Sequence, residues 1–130
     1  MKATITVVDA DKEQAAALRT LLEQENYSAV SCESLARLDE LLQADCSRVA
    51  VVDLDTVPVD NRGFRNLKRK YTTVRVIALS SRRFHPELEE AMASHIYACL
   101  GKPVNIEELA YLLRSIFCET PKPTVARQRL

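Results

Sequence analysis

Glycine occurs only twice in the 130 residues, at Gly63 and Gly101. Phosphate-cradling loops need several glycines to bring backbone amides close to a ligand, so no G-x-G-x-x-G turn or P-loop is present. The four cysteines, Cys32, Cys46, Cys99 and Cys118, include no C-x-x-C pair, and His85 and His95 are the only histidines. Zinc and dithiol chemistry are therefore not indicated, and the cysteines read as small apolar filler in a reduced compartment. Charge of one sign is also missing: 18 basic residues balance 18 acidic ones. Nothing in that balance argues for nucleic acid or a membrane surface as partner. No apolar run approaches the roughly 20 residues that a membrane span requires. The N-terminus enters a strand pattern at once and has no apolar signal core, which leads us to expect a cytoplasmic protein.

What is there is ordinary globular material. Apolar residues make up 47% and charged residues 28% of a chain long enough for one domain with its own core. Short apolar segments alternate with helical patterns five times. Ala3–Val8 is β-branched and ends at Asp9; from Asp11 to Asn26, Ala15, Leu18, Leu21 and Leu22 recur at helical spacing. Asp11 and Gln14 read as a capping box for that helix. Tyr27–Cys32 is a short strand, and Ser34 caps a helix striped by Leu35, Leu38, Leu41 and Leu42. Arg48–Val52 is an apolar strand ending at Asp53. A loop with Pro58 follows, then a helix capped by Asp60 that carries Phe64, Leu67 and Tyr71, with Lys68, Arg69 and Lys70 offsetting the dipole at its end.

Val74–Leu79 forms the fourth strand and ends at Ser80. Pro86 sits at a first-turn position, with Glu87, Glu89 and Glu90 at the positive end of a fourth helix. Tyr97–Leu100 is a weak fifth strand before Gly101, Lys102 and Pro103. Asn105 and Glu108 form a second capping box, opening a fifth helix in which Leu109, Leu112, Leu113 and Ile116 should be buried and Glu108 and Arg114 solvated. Strands alternating with helices imply right-handed crossovers and a doubly wound α/β parallel sheet. The domain should span residues 1–118; the Pro-containing segment 119–130 reads as a linker or tail, leading toward an output domain.

In open parallel sheets, ligands bind beyond the carboxyl ends of the strands, near the point where strand order reverses. Asp9, Asp53, Ser80 and Lys102 all follow strands there. Singly, each is an ordinary turn or surface residue. Jointly, two carboxylates, a hydroxyl and an ammonium suit phosphoryl transfer to a carboxylate, with Asp9 and Asp53 placed to hold magnesium.

At these residues the chain resembles the receiver domain of two-component response regulators. The resemblance is carried by ITVVDAD (5–11), VAVVDLD (49–55), VIALSS (76–81) and KPVNIEEL (102–109), and it covers residues 3–118. It implies a (βα)5 fold with strand order 2-1-3-4-5. It also implies a phosphoacceptor at Asp53, an acidic-pocket residue at Asp9, a switch hydroxyl at Ser80 and a phosphate-pairing lysine at Lys102. By resemblance, the chain is a signalling domain, at most catalysing its own phosphorylation and dephosphorylation. It would receive a phosphoryl group from a histidine kinase, with Mg2+ as cofactor. It would then signal through the face of its fourth helix, fifth strand and fifth helix, to an output domain or a second receiver.

Three positions depart from the family pattern. The second acid after strand one is Ala10, which predicts weak magnesium binding, restored by Ala10→Asp. The segment DLDTVP (53–58) is one residue longer than the family's loop, leaving Asp55 as an alternative to Asp53, which ends the apolar strand. The switch aromatic three residues before Lys102 is Cys99, with Tyr97 nearby. Two functions follow from the same residues: a phosphorylatable receiver, or a degenerate receiver acting as a phosphorylation-independent interaction module. A flavodoxin-like enzyme stands behind both.

Overall fold

The computed structural model describes residues 4–44 and 47–118. The expected tail at 119–130, the expected strand start at Ala3 and Cys46 lie outside these residues. The elements run β1 (Thr4–Val8), α1 (Lys12–Gln24), β2 (Ser28–Cys32), α2 (Leu35–Ala44), β3 (Val49–Asp53), α3 (Asn61–Lys70), β4 (Arg75–Ser80), β5 (Ala98–Gly101) and α4 (Ile106–Phe117). All strand pairs are parallel, in the order β2-β1-β3-β4-β5, so the expected 2-1-3-4-5 topology is present. β1 lies between β2 and β3, and the order reverses there.

Strand alternation sends successive residues to opposite faces. Val49 and Val51 join Ile5, Val7, Leu18, Leu22, Leu109 and Leu113 on the face covered by α1 and α4. Ala50 and Val52 join Val8, Leu38, Leu42, Phe64 and Leu67 on the face covered by α2 and α3. A sheet buried on both sides needs continuous apolar strands, and every residue of β3 is buried.

Helix ends follow local chemistry. The carboxylate of Asp11 accepts from the amides of Glu13 and Gln14, and that of Asp60 from the amide of Gly63. α1 stops where Asn26 takes φ 71°, a left-handed conformation that asparagine tolerates better than most residues. The Arg48 guanidinium donates to the Ile116 carbonyl at 3.3 Å and lies over the Phe117 ring, placing a cation at the negative end of α4.

Three expectations need correction. The capping box at Asp11 and Gln14 is only half made, because Gln14 does not reach back to the Asp11 amide; that amide donates to Asp9 Oδ1 at 2.8 Å. The fourth helix is irregular: Pro86–Leu88 is a 3-10 turn and Ala91–His95 a wide turn in which the Ile96 amide reaches the Ala91 carbonyl, five residues back. Long-range bonds hold that shape, since Glu90 binds Arg65 of α3 and the Ala91 amide donates to Asn61 Oδ1. Finally, Leu112 is only partly buried, whereas Leu109, Ala110, Leu113 and Ile116 form the buried stripe of α4.

Candidate functional site

The carboxyl ends of β1, β3 and β5 bring Asp9, Asp53 and Lys102 together. Asp53 is the last residue of β3 and 1% exposed; Asp9 follows β1 and is also buried. Lys102 Nζ lies 2.9 Å from Asp53 Oδ1 and 3.1 Å from Oδ2. It also lies 3.0 Å from Asp55 Oδ2, so one ammonium serves both acids of the DLD segment. Burial works to lower the Lys102 pKa, but its bonds to Asp53 and Asp55 prevail and hold it above the ordinary lysine value. Burial likewise pushes Asp55 up, yet its bonds to Lys102 and Ser81 leave it below the usual carboxylate value.

Ser80 does not join this group through its side chain. It ends β4 at the same sheet edge, and its carbonyl accepts from the Lys102 amide at 3.1 Å. Its hydroxyl, however, lies 2.7 Å from His85 Nε2 and accepts from the Arg82 amide. His85 is itself buried. The Ser80 hydroxyl is thus bonded within the loop that follows β4, and Ser81 of the same loop is bonded to Asp55. Tyr97 and Cys99 are both exposed, and the Tyr97 ring carries the Arg75 guanidinium at 5.7 Å.

Two residues in the pocket were not singled out for it from the sequence. Gln14, on the first turn of α1, places Nε2 2.6 Å from Asp9 Oδ2 and 2.6 Å from Asp53 Oδ2, while its Oε1 accepts from Lys102 Nζ at 3.0 Å. Only this amide orientation puts donors on the carboxylates and an acceptor on the ammonium. Thr56 donates its hydroxyl to Asp9 Oδ1 at 2.9 Å, lies 3.2 Å from Asp53 Oδ2, and accepts from the Ala10 amide at 3.1 Å. The capping pattern accounted for Gln14 locally and so concealed it. Thr56 carried a weaker signal, a hydroxyl three residues beyond a strand-end acid.

Comparison with known proteins decides the family. A model described as the response regulator receiver domain matches residues 5–114.

The chain belongs to the response regulator receiver family.

Solved receivers share its fold. The receiver domain (CheY-like) of Methylobacillus flagellatus is 21% identical with a TM-score of 0.74, covering 89% of this chain and 99% of that one. The signal receiver domain of an HD domain-containing protein from Pseudomonas fluorescens Pf-5 is 19% identical with a TM-score of 0.79, covering 90% and 95%. An orphan response regulator of H. pylori is 15% identical with a TM-score of 0.71, covering 88% and 95%. No curated protein matched. This receiver is therefore a signalling domain of the two-component type. Among its described residues, no helix is long and apolar enough to cross a membrane.

Receiver domains generally bind Mg2+ at the acidic pocket. The donor set of this receiver does not fit that ion. Magnesium needs near-octahedral oxygens and is held by carboxylates with free lone pairs, together with waters. Here the second acid is Ala10, and each of the four oxygens of Asp9 and Asp53 already faces a donor from Asp11, Gln14, Thr56, Asp55 or Lys102. No group of three or more His, Cys, Asp or Glu arranged to hold a metal occurs among the described residues.

Proposed function

We propose that this receiver is a protein-interaction module that works without phosphoryl transfer at Asp53. The observation that carries the reading is the state of the Asp53 carboxylate. It is 1% exposed, and both of its oxygens are held by donors from Gln14, Lys102, Thr56 and the Asp55 amide. A carboxylate attacking phosphorus needs a free lone pair in line with the leaving group, and charge on the transferring group must be neutralised in place. In this pocket the lone pairs are engaged and the acid expected beside Asp9 is an alanine.

The partner would dock in the cytoplasm on the face of β5, α4 and the irregular helix before β5. Tyr97 and Tyr111 are exposed there, with Tyr111 at 63%. The partner is a second receiver or an output domain.

A second reading has its own support. Lys102 pairs with Asp53 at 2.9 Å, the arrangement that phosphate pairing in this family would use, with Ser80 at the neighbouring strand end. On that reading Asp53 accepts a phosphoryl group from a histidine kinase, and Asp9 and Asp53 hold Mg2+ weakly. Incubation with magnesium and acetyl phosphate, followed by intact mass measurement, separates the two. The interaction module stays unmodified. A phosphoryl adduct that disappears in Asp53→Asn and persists in Asp55→Asn would establish the phosphoacceptor reading.

A further inference from the structure

We propose that the side-chain amide of Gln14 stands in for the divalent cation of this receiver. On that basis removing Gln14, rather than adding an acid at position 10, makes the pocket responsive to magnesium. The inference deepens the phosphorylation-independent reading and rests on it, because it supplies the device that holds the acid pair together without metal.

The geometry is specific. One nitrogen, Gln14 Nε2, is 2.6 Å from Asp9 Oδ2 and 2.6 Å from Asp53 Oδ2. Gln14 Nε2 thus fills the space between the two carboxylates that a cation held by both of them would also need. The amide has two N–H groups, one for each carboxylate, so it satisfies both acids with a single group. Its oxygen completes the chain by accepting from Lys102 Nζ, which in turn holds Asp53 and Asp55. Gln14 thus touches every charged group around Asp53 except Asp55, and the fold delivers it from a helix anchored by the Asp11 cap.

Hydrogen bonding does not remove charge. Asp53 and Asp55 share the Lys102 ammonium and Asp9 is linked to it only through Gln14, so three carboxylates stand against one cation, an excess that the neutral amide distributes but does not cancel. Without the amide, Asp9 and Asp53 lose the donor they share through Gln14 while that excess remains. Carboxylate oxygens freed of that donor have lone pairs to offer a cation. With the amide in place, a cation must first displace two hydrogen bonds to charged acceptors, which are among the stronger kind. Position 10 behaves differently. A new carboxylate from Ala10→Asp would sit beside a pocket whose bridging position is still filled.

The test uses thermal melts and Mn2+-induced NMR broadening, with magnesium as competitor, on the wild type, Gln14→Ala, Gln14→Leu and Ala10→Asp. Gln14→Leu keeps the side chain's bulk without its donors, and so separates lost hydrogen bonds from lost packing. In the wild type and Ala10→Asp, millimolar magnesium should leave the melting temperature unchanged. In Gln14→Ala and Gln14→Leu the melting temperature should fall without metal and recover with it, and Mn2+ should broaden the amides of residues 9–11 and 53–56. Binding at least tenfold tighter in the Gln14 variants than in the wild type supports the proposal. Equal magnesium responses in the wild type and the Gln14 variants, or a response in Ala10→Asp alone, would overturn it. Neither readout involves phosphorylation, so an adduct on Asp53 in the mass experiment would fail the functional reading separately.

Discussion

The hydroxyl of Ser80 and Nε2 of His85 lie 2.7 Å apart, both residues buried, at the start of the loop that follows β4. This bond ties the Ser80 hydroxyl to its own loop, where it also accepts from the Arg82 amide. A hydrogen bond of this kind contributes about 0.5–1.5 kcal/mol, and leaving one buried partner unsatisfied costs about 1–3 kcal/mol. Ser80→Ala and His85→Ala should each destabilise the domain, and the double variant should lose less than their sum. Urea unfolding of the four proteins measures the coupling. Strict additivity would mean that the two side chains do not act together.

Thr56 ties the loop after β3 to the strand-one acid. Thr56→Val keeps the shape and removes the hydroxyl that serves Asp9 Oδ1 and the Ala10 amide. Asp9 Oδ1 keeps the Asp11 amide, so a loss of about 0.5–1.5 kcal/mol is expected, the net contribution of a hydrogen bond. Thr56→Ser, which keeps the hydroxyl, should recover much of it. Equal losses in the two variants would mean that the hydroxyl contributes no more than the methyl group.

The last helix offers a contrast within one stripe. Leu113 is fully buried between α4 and the sheet, whereas neighbouring Leu112 is only partly so. Leu113→Ala should cost about 2–5 kcal/mol, the range of a core leucine. Leu112→Ala should cost clearly less. Denaturant midpoints at constant m-value check the order, and a larger loss at Leu112 would contradict this packing.

Acid should loosen the irregular segment before β5. Bonds from Arg65 and His95 hold the Glu90 carboxyl down at about 2, against an ordinary value of 4.5. A depressed folded-state pKa stabilises the protein above the unfolded value, and the contribution is lost as pH falls through the folded one. Glu90 should therefore help fully above pH 4.5 and progressively less toward pH 2. The pair is partly exposed, so salt should weaken the effect. Melts from pH 6 to pH 2, in the wild type and Glu90→Gln, test it. The two curves should converge at the acid end, and parallel curves would show that this carboxylate does not titrate with folding.

Much of this receiver is written in its local sequence. The apolar runs Ala3–Val8, Arg48–Val52 and Val74–Leu79 read as strands, and their spacing by helical stripes leaves a parallel sheet as the simple solution. The same regularity placed Asp9, Asp53 and Lys102 at one edge, because a strand's end is fixed by where its apolar run stops. Helix caps at Asp60 and Asn105 were legible for the same reason, since a cap answers to amides two or three residues away.

Tertiary structure alone decided where three side chains went. Gln14 had a local use at the Asp11 cap, but two carboxylates and an ammonium from other strands offered stronger, charge-assisted partners. Ser80 met His85 only once the loop after β4 had folded back over the strand end. Glu90 met Arg65 across 25 residues, holding the segment before β5 in a shape that its own sequence does not prefer. Periodicity determines which face a residue takes. The partner of a long polar side chain depends on which charges the fold brings within reach.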